Sequence, residues 1–89
     1  MELKMDIRIV IAQRGFVYVG EYSRDGDRVF IRRGFNVRRW GTTKGLGELA
    51  TRGPLAGTQL DDVPEVELHE LSVVNTIRCD GAKWAGRLR

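Results

Sequence analysis

A regular alternation of apolar and polar side chains near the start of the chain limits what it can fold into. In LKMDIRIVIA, residues 3–12, every second residue from Leu3 to Ile11 is apolar, and the early positions between them are charged. Successive side chains of a β-strand point to opposite faces of a sheet, so this period of two predicts a half-buried strand. Val10 and Ala12 add apolar groups to the second face, which predicts that the strand becomes more central toward its end.

A β-hairpin is predicted to follow this strand. FVYVGEY and DRVFIRR are rich in β-branched and aromatic residues, and Asp25-Gly26 between them tolerates the positive φ of a tight turn. Gly20 inside the first run predicts a bulge or a close approach of two backbones. Residues 34–36 predict a second turn or bulge, and residues 37–40 a short strand.

One short helix is predicted after Gly41. Thr42 or Thr43 can cap its N-terminus, and Gly53-Pro54 would end it. Its apolar stripe consists of Leu46, Leu49 and Ala50.

The second half of the chain predicts a loop and then a strand. Residues 54–64 read as a loop, and VELHELSVVNTIRC reads as one long strand. The apolar positions change parity near His69-Glu70, which predicts a bulge or bend there. Trp84 in the final segment is expected to dock on the domain.

These elements predict a single α+β domain over residues 1–89 that is mainly β. We expect about five antiparallel strands, arranged as a small barrel or sandwich, with one short helix near 42–52. Residues 1–5 and 85–89 are expected to fray.

Charge is distributed unevenly along the chain. The net charge is only +3, but residues 24–52 carry eight basic and three acidic side chains, whereas residues 61–70 carry five acidic side chains and no lysine or arginine. Such asymmetry predicts a basic binding face, or two faces that meet in an oligomer. Arginine outnumbers lysine twelve to three, which suits phosphate recognition. A GC-rich genome gives the same excess without a functional cause.

The segment VRRWGTTKGLGELATRGP, residues 37–54, is the candidate binding site. A helix N-terminus presents unpaired backbone N–H groups that bind anions, and the residues before this helix add cations, hydroxyl groups and an aromatic surface. Alternation along the strand places only one arginine of the Arg38-Arg39 pair beside Trp40. The residues predicted to bind a phosphorylated ligand are Arg38, Arg39, Trp40, Thr42, Thr43, Lys44 and Arg52. The alternative is a capped helix that follows a basic strand, with Trp40 in the core.

Catalysis is not expected. The segment lacks the G-x-x-x-x-G-K-[ST] pattern of a phosphate-binding loop, and no parallel βαβ unit surrounds it. His69 and Cys79 are the only histidine and cysteine, and they match no catalytic pair. DDVPEVE could bind a metal but is more typical of a solvated loop. A phosphate site without a credible general base favours binding over turnover, so we expect no enzyme activity, no metal and no cofactor.

Composition favours a cytoplasmic protein. No apolar run approaches the roughly 20 residues of a membrane span. The N-terminal MELKMDIRIV lacks the uninterrupted apolar region of a signal peptide. A single cysteine excludes an internal disulfide framework.

Three stretches of the sequence resemble a family of small proteins encoded by bacteriophages and prophages. They are IVIAQRGFVYVGEYSRDGD, RRWGTTKGLGELATRGP and LHELSVVNTIRCD, and RRWGTTKGLGELA is the most specific part. The similarity covers nearly the whole chain. It implies a viral origin and no catalytic residue, since no activity is assigned to the family. Small phage proteins of this size are often inhibitors of host defence, sponges that sequester a ligand, regulators or minor virion parts.

We therefore expect a phage protein that sequesters a phosphorylated small molecule in the host cytoplasm, plausibly a nucleotide signal of host immunity. One alternative is a single-stranded nucleic-acid-binding protein, because basic residues are interleaved with Phe30, Phe35 and Trp40. The acidic segment makes this partner less favoured. Another alternative is a protein-interaction or virion component. The two charge blocks and the second apolar face of strand 7–12 also predict a homo-oligomer.

Overall fold

The computed structural model describes residues 5–88 and confirms the predicted fold class, a mainly β α+β domain with antiparallel strands. The strands are β1 (Ile7–Ala12), β2 (Val17–Asp25), β3 (Arg28–Arg39), β4 (Gln59–Asp62), β5 (Val66–His69) and β6 (Val73–Arg78). The α-helices are α1 (Leu46–Arg52) and α2 (Gly81–Trp84), and single 3-10 turns cover Gln13–Gly15, Glu70–Ser72 and Ala85–Arg87. The six strands form one open sheet, which refines the expectation of a barrel or sandwich.

The long strand β3 organises the sheet. Along one side it pairs with β2, through the turn at Gly26 that the sequence predicts. Along its other side it pairs first with β5 and then with β4, and β1 and β6 complete the order β4-β3-β2-β1-β6. The predicted turn or bulge at 34–36 is therefore a bulge inside one twelve-residue strand, and not the boundary of a separate short strand at 37–40.

Two glycines produce this bulge. The pairing of β2 with β3 shifts register between Val19 and Glu21, and the backbones of Gly20 and Gly34 approach closely at this point. A Cβ atom on Gly34 would lie 2.3 Å from the carbonyl oxygen of Val19, and one on Gly20 would lie 2.9 Å from Gly34 Cα. No side chain fits either position, so the predicted close approach at Gly20 is confirmed.

Two parts of the second half differ from the sequence prediction. The predicted loop 54–64 contains β4, which is too short and too polar for its alternation to stand out. The predicted long strand is two strands, β5 and β6, separated by the 3-10 turn Glu70–Ser72, and they pair with β3 and β1 respectively. The parity change at His69-Glu70 therefore marks the end of a strand, because the chain leaves one edge of the sheet there and joins the other.

The helices cover one face of the sheet and build the main core. Ile9, Val19 and Phe35 project from three neighbouring strands, and α1 adds Leu49 and Ala50. Trp84 of α2 is completely buried among them, and its indole N–H donates to the carbonyl oxygen of Leu49 at 3.1 Å. The docking expected for Trp84 is confirmed, and it holds residues 81–87 in helical turns. Of the residues expected to fray, 1–5 and 85–89, residues 1–4 and 89 lie outside the described residues, and Ala85–Arg87 form a 3-10 turn.

Apolar side chains on the opposite face are also buried within the single chain. The register places Val10 opposite Tyr18, and Ile31 opposite Tyr22 and Val66. Val10 and Ile31 are both 0% exposed. The apolar second face of β1 therefore gives no reason for self-association, which stays a prediction. No helix among residues 5–88 is long and apolar enough to cross a membrane.

Replacing Gly34 with alanine should destabilise the protein strongly, because the new methyl group meets the Val19 carbonyl oxygen. We expect the free energy of unfolding, measured by urea denaturation, to fall by about 2–4 kcal/mol. Gly47→Ala is the matched control, since a Cβ on Gly47 in α1 meets nothing within 4 Å. That variant should gain up to about 1 kcal/mol. Equal stability of the two variants would contradict the bulge geometry.

Candidate functional site

The predicted site is centred on a loop that leaves the end of β3. Residues 40–45, called the Trp40 loop below, join β3 to α1. The loop is fastened to residues 55–58: the Thr58 hydroxyl donates to the Trp40 carbonyl oxygen at 2.7 Å and accepts from the Leu55 N–H. Gly41 has a φ of +69°, and a Cβ there would lie 2.3 Å from the Gly57 carbonyl carbon. The loop conformation is therefore fixed by contacts of its backbone.

The start of α1 differs from the sequence prediction. Its N-cap residue is Gly45, not Thr42 or Thr43, and no side chain caps it at that position. Instead the Glu48 carboxylate folds back, and its Oε1 accepts from the backbone N–H groups of Thr43 and Lys44, each at 3.0 Å. An acidic group of the chain itself thus occupies the N–H groups that were expected to bind phosphate.

The same carboxylate also engages Arg52. Its Oε2 accepts from the Arg52 guanidinium at 2.9 Å, one helical turn along α1. The Lys44 N–H is the main cause that lowers the pKa of Glu48, and the hydrogen bonds from Arg52 and Thr43 act in the same direction. The Glu48 side chain is only 11% exposed. Lys44, Thr43 and Arg52 are therefore brought together, but around an internal anion.

Arg38 belongs to a different contact. The pairing of β3 with β4 shifts register between Val37 and Arg39, so Arg38 is the bulged residue. Its guanidinium donates two hydrogen bonds of 2.9 Å to the Asp61 carboxylate, which raise the pKa of Arg38. Both oxygens of Asp61 are engaged in this pair, and Arg38 is thus neutralised by β4.

Carboxylates of residues 61–70 also pair with other arginines, on β3 and on the neighbouring end of β2. Because β4 and β5 run antiparallel to β3, the carboxylates meet these arginines in reverse sequence order. The ion pairs are Arg38–Asp61, Arg32–Glu65, Arg28–Glu67 and Arg24–Glu70. Exposed pairs of this kind contribute little to stability individually, but they engage four of the five acidic residues of 61–70 and four of the eight basic residues of 24–52. The asymmetry that predicted a basic face or a charged oligomer interface is resolved within the chain.

Three residues of the predicted site remain exposed with no charged partner. Trp40 is 43% exposed, so the alternative that places it in the core is wrong. The side chains of Arg39 and Lys44 are exposed and form no ion pair with the rest of residues 5–88. The two tryptophans therefore differ sharply, since Trp84 is 0% exposed.

The two threonines of the predicted site differ in their exposure to solvent. Thr43 is exposed, whereas the hydroxyl oxygen of Thr42 is buried and has no hydrogen-bond partner in the described part of the chain. An unpaired buried hydroxyl costs free energy. Thr42 therefore either destabilises the Trp40 loop or offers a hydrogen bond to a group that enters it. Neither threonine hydroxyl donates a hydrogen bond to Asp61, the group that Arg38 binds.

His69 and Cys79 take part in separate structural contacts. His69 Nδ1 accepts from the Leu71 N–H at 3.1 Å, and Nε2 lies 3.2 Å from Asp27 Oδ2. Burial raises the pKa of the Cys79 thiol to about 12, so it is protonated at neutral pH. In residues 5–88 no group of three or more histidine, cysteine or acidic side chains could hold a metal ion.

Sequence reasoning missed Glu48 and Asp61. The position of Glu48, three residues after the N-cap Gly45, is that of the acidic residue in a capping box, which reaches back to N–H groups before the helix. This spacing could have identified it. Asp61 gave no local signal, because its partner Arg38 comes next to it only through the pairing of β3 with β4.

Comparisons with protein-family models, curated proteins and solved structures gave no significant match to this chain. The function must therefore be argued from the site itself.

Replacing Glu48 with glutamine should change the pH dependence of stability. Because the folded protein holds the Glu48 pKa below its ordinary value of 4.5, the carboxylate stabilises the fold fully above that pH and progressively less as the pH falls further. Urea denaturation from about pH 7 to pH 3 should show a stability difference between wild type and Glu48→Gln that shrinks below about pH 4.5. In a protein that carries Arg52→Ala, replacing Glu48 with glutamine should still produce most of this difference. The reason is that the Lys44 N–H lowers the Glu48 pKa more than Arg52 does. Parallel pH profiles for wild type and Glu48→Gln would contradict the contact.

Proposed function

We propose that this chain is a non-catalytic binding protein for a phosphorylated, nucleotide-like small molecule. The observation that carries the proposal is the exposed indole of Trp40, in a loop whose backbone is held by residues 55–58, with two cations close to it in the sequence, Arg39 and Lys44, that form no ion pair among residues 5–88. A base stacks on such an aromatic surface with a free energy of about 1–3 kcal/mol. Arg39 and Lys44 supply charges for the phosphate groups.

The contacts of Glu48 define how the phosphate would be held. The N–H groups of Thr43 and Lys44 already donate to its carboxylate, so the ligand's phosphate interacts with the flexible side chains of Arg39 and Lys44. Arg38 and Arg52 are engaged in ion pairs and have secondary roles at most. This assignment keeps Trp40, Arg39 and Lys44 of the original set as the binding residues.

The charge arrangement favours a small ligand over a nucleic-acid strand. A protein that binds single strands needs a continuous basic groove that follows several phosphates. Along β2 and β3, four arginines that could form such a groove are paired with carboxylates of residues 61–70. The few remaining cations near Trp40 match the two or three phosphates of a nucleotide.

The resemblance to bacteriophage proteins, which carries no assigned activity, motivates the biological role that we propose for such binding. A small non-catalytic protein that binds nucleotides tightly enough would sequester a nucleotide signal that the host uses in defence, in the host cytoplasm. Sequestration needs no general base and no metal, in keeping with a site composed of an aromatic ring and cations.

Lys44→Ala should weaken nucleotide binding by about tenfold, because it removes one charge-assisted contact. Binding of ATP, AMP, a cyclic dinucleotide and inorganic phosphate can be measured by calorimetry, and stacking by quenching of Trp40 fluorescence. Trp40→Ala should abolish the preference for nucleotides over inorganic phosphate. Lys83→Ala, which removes a similar exposed charge on α2, should leave affinity unchanged.

Two results would overturn the proposal. Equal affinities of wild type, Arg39→Ala and Lys44→Ala for every nucleotide would show that Arg39 and Lys44 do not bind the phosphate groups. Binding of a single-stranded oligonucleotide that is much tighter than that of a nucleotide, with a steep dependence on salt, would instead show a nucleic-acid-binding protein.

A further inference from the structure

The two edges of the sheet are protected to different degrees. Edge strands expose unpaired N–H and C=O groups, and proteins usually block them with proline, charged side chains or irregular pairing. The edge formed by β4 and β5 is interrupted at Pro64 and carries the carboxylates of Asp61, Glu65 and Glu67. The edge strand β6, with the sequence VVNTIR, contains no proline, lysine or carboxylate.

The outer side of β6 is open to another strand. Among residues 5–88, β1 is the one strand that pairs with β6. That pairing is irregular at Ala12 and Val73 but regular over the four residue pairs from Asn75 to Arg78. The pairing of β4 with β3 also covers four residue pairs, so this length is enough for an edge strand in this sheet.

Exposed apolar side chains gather at the irregular end of β6. Val74 is 63% exposed, and Leu71, just before the strand, is 77% exposed. Phe16 is 52% exposed and stacks against Tyr18. Ala12 connects the two segments that carry these side chains: its N–H donates to the Phe16 carbonyl oxygen, and the residue pairs with Val73. We call Phe16, Leu71 and Val74 the β6 patch.

Cations without partners lie at both ends of β6. Arg14 follows Gln13, whose side chain donates to the Leu71 carbonyl oxygen, so it lies at the patch end. Arg78 ends the strand opposite Arg8, and the nearby carboxylate of Asp6 is already bound by Arg8. Neither guanidinium forms an ion pair within residues 5–88.

We propose that β6 is a docking edge for an extended acidic segment of another protein, which adds a strand to the sheet. Backbone hydrogen bonds to β6 supply affinity in this mode, and side chains on alternate positions supply specificity. The segment would place an apolar residue on the β6 patch and carboxylates near Arg14 and Arg78, about five residues apart. A second copy of this chain fits less well, since a two-fold pairing of β6 brings Arg78 of each chain toward Arg14 of the other.

The probe for this edge is the blocked peptide EVTVTE, which carries a carboxylate at each end and alternating valine and threonine between them. We expect its addition to the ¹⁵N-labelled protein to shift the amide resonances of residues 73–78 and to slow their hydrogen exchange. The charge-reversed peptide KVTVTK and the peptide EVTPTE, in which proline removes a backbone donor, should not do so.

Variants at exposed positions separate charge from apolar contact. Arg78→Glu should weaken EVTVTE at least about threefold, and Val74→Ser should weaken it by removing an apolar contact of the β6 patch without changing the charge. Lys83→Glu on α2 is the charge-matched control and should bind like wild type. Circular dichroism checks that each variant is folded.

Three results with the peptides would overturn the proposal: no shift at millimolar peptide, equal binding of KVTVTK, or shifts that map away from β6. A dimer in light scattering with residues 73–78 already protected would assign the edge to a second copy instead, which also overturns it. Trp40→Ala should leave peptide binding intact, so this test and the nucleotide test can fail independently.

Discussion

The contact between the backbones of Gly20 and Gly34 determines the rest of the architecture. It interrupts β3 in its middle, so that the first half of this single strand pairs with β5 and the second half with β4. The chain passes from β4 to β5 through Pro64 at the level of this bulge, where the Val63 N–H reaches the Gly34 carbonyl oxygen. Without the bulge, residues 59–69 would have to follow β3 as one continuous strand, and the loop at the end of β3 would point elsewhere.

The alignment of β3 with residues 59–70 also determines the surface charge. Each arginine of these four ion pairs is neutralised by a carboxylate more than twenty residues away in the sequence. The carboxylates follow one another in the reverse order of the arginines, because the paired strands are antiparallel. Beside the sheet, cations without an ion pair within residues 5–88 remain near Trp40 and near the two ends of β6, and Lys83 on α2 is a further one. Both proposed binding surfaces are therefore places where the internal compensation stops.

Local pattern was enough to predict the elements whose cause is local. The alternation of β1, the Asp25-Gly26 turn and the end of α1 at Gly53 depend on neighbouring residues, and the structure shows each of them. The prediction of one long strand over residues 66–79 was wrong, because a parity change is common to a bulge and to a strand end, and only the partner strand distinguishes them. At the site, the exposure of Trp40 could not be derived from alternation, since Trp40 follows the end of β3. The pair Arg38–Asp61 depends on a bulge and a strand that the sequence did not indicate.

The Glu48 carboxylate has a consequence for competition between anions. It is tethered to the groups it binds, so it acts as a ligand at an effective concentration of roughly millimolar or above. An external anion reaches the Thr43 and Lys44 N–H groups only if it binds them more tightly than this tethered competitor. Abundant small anions that bind weakly are thereby kept out, and the backbone of the loop keeps one conformation whether or not a ligand rests on Trp40.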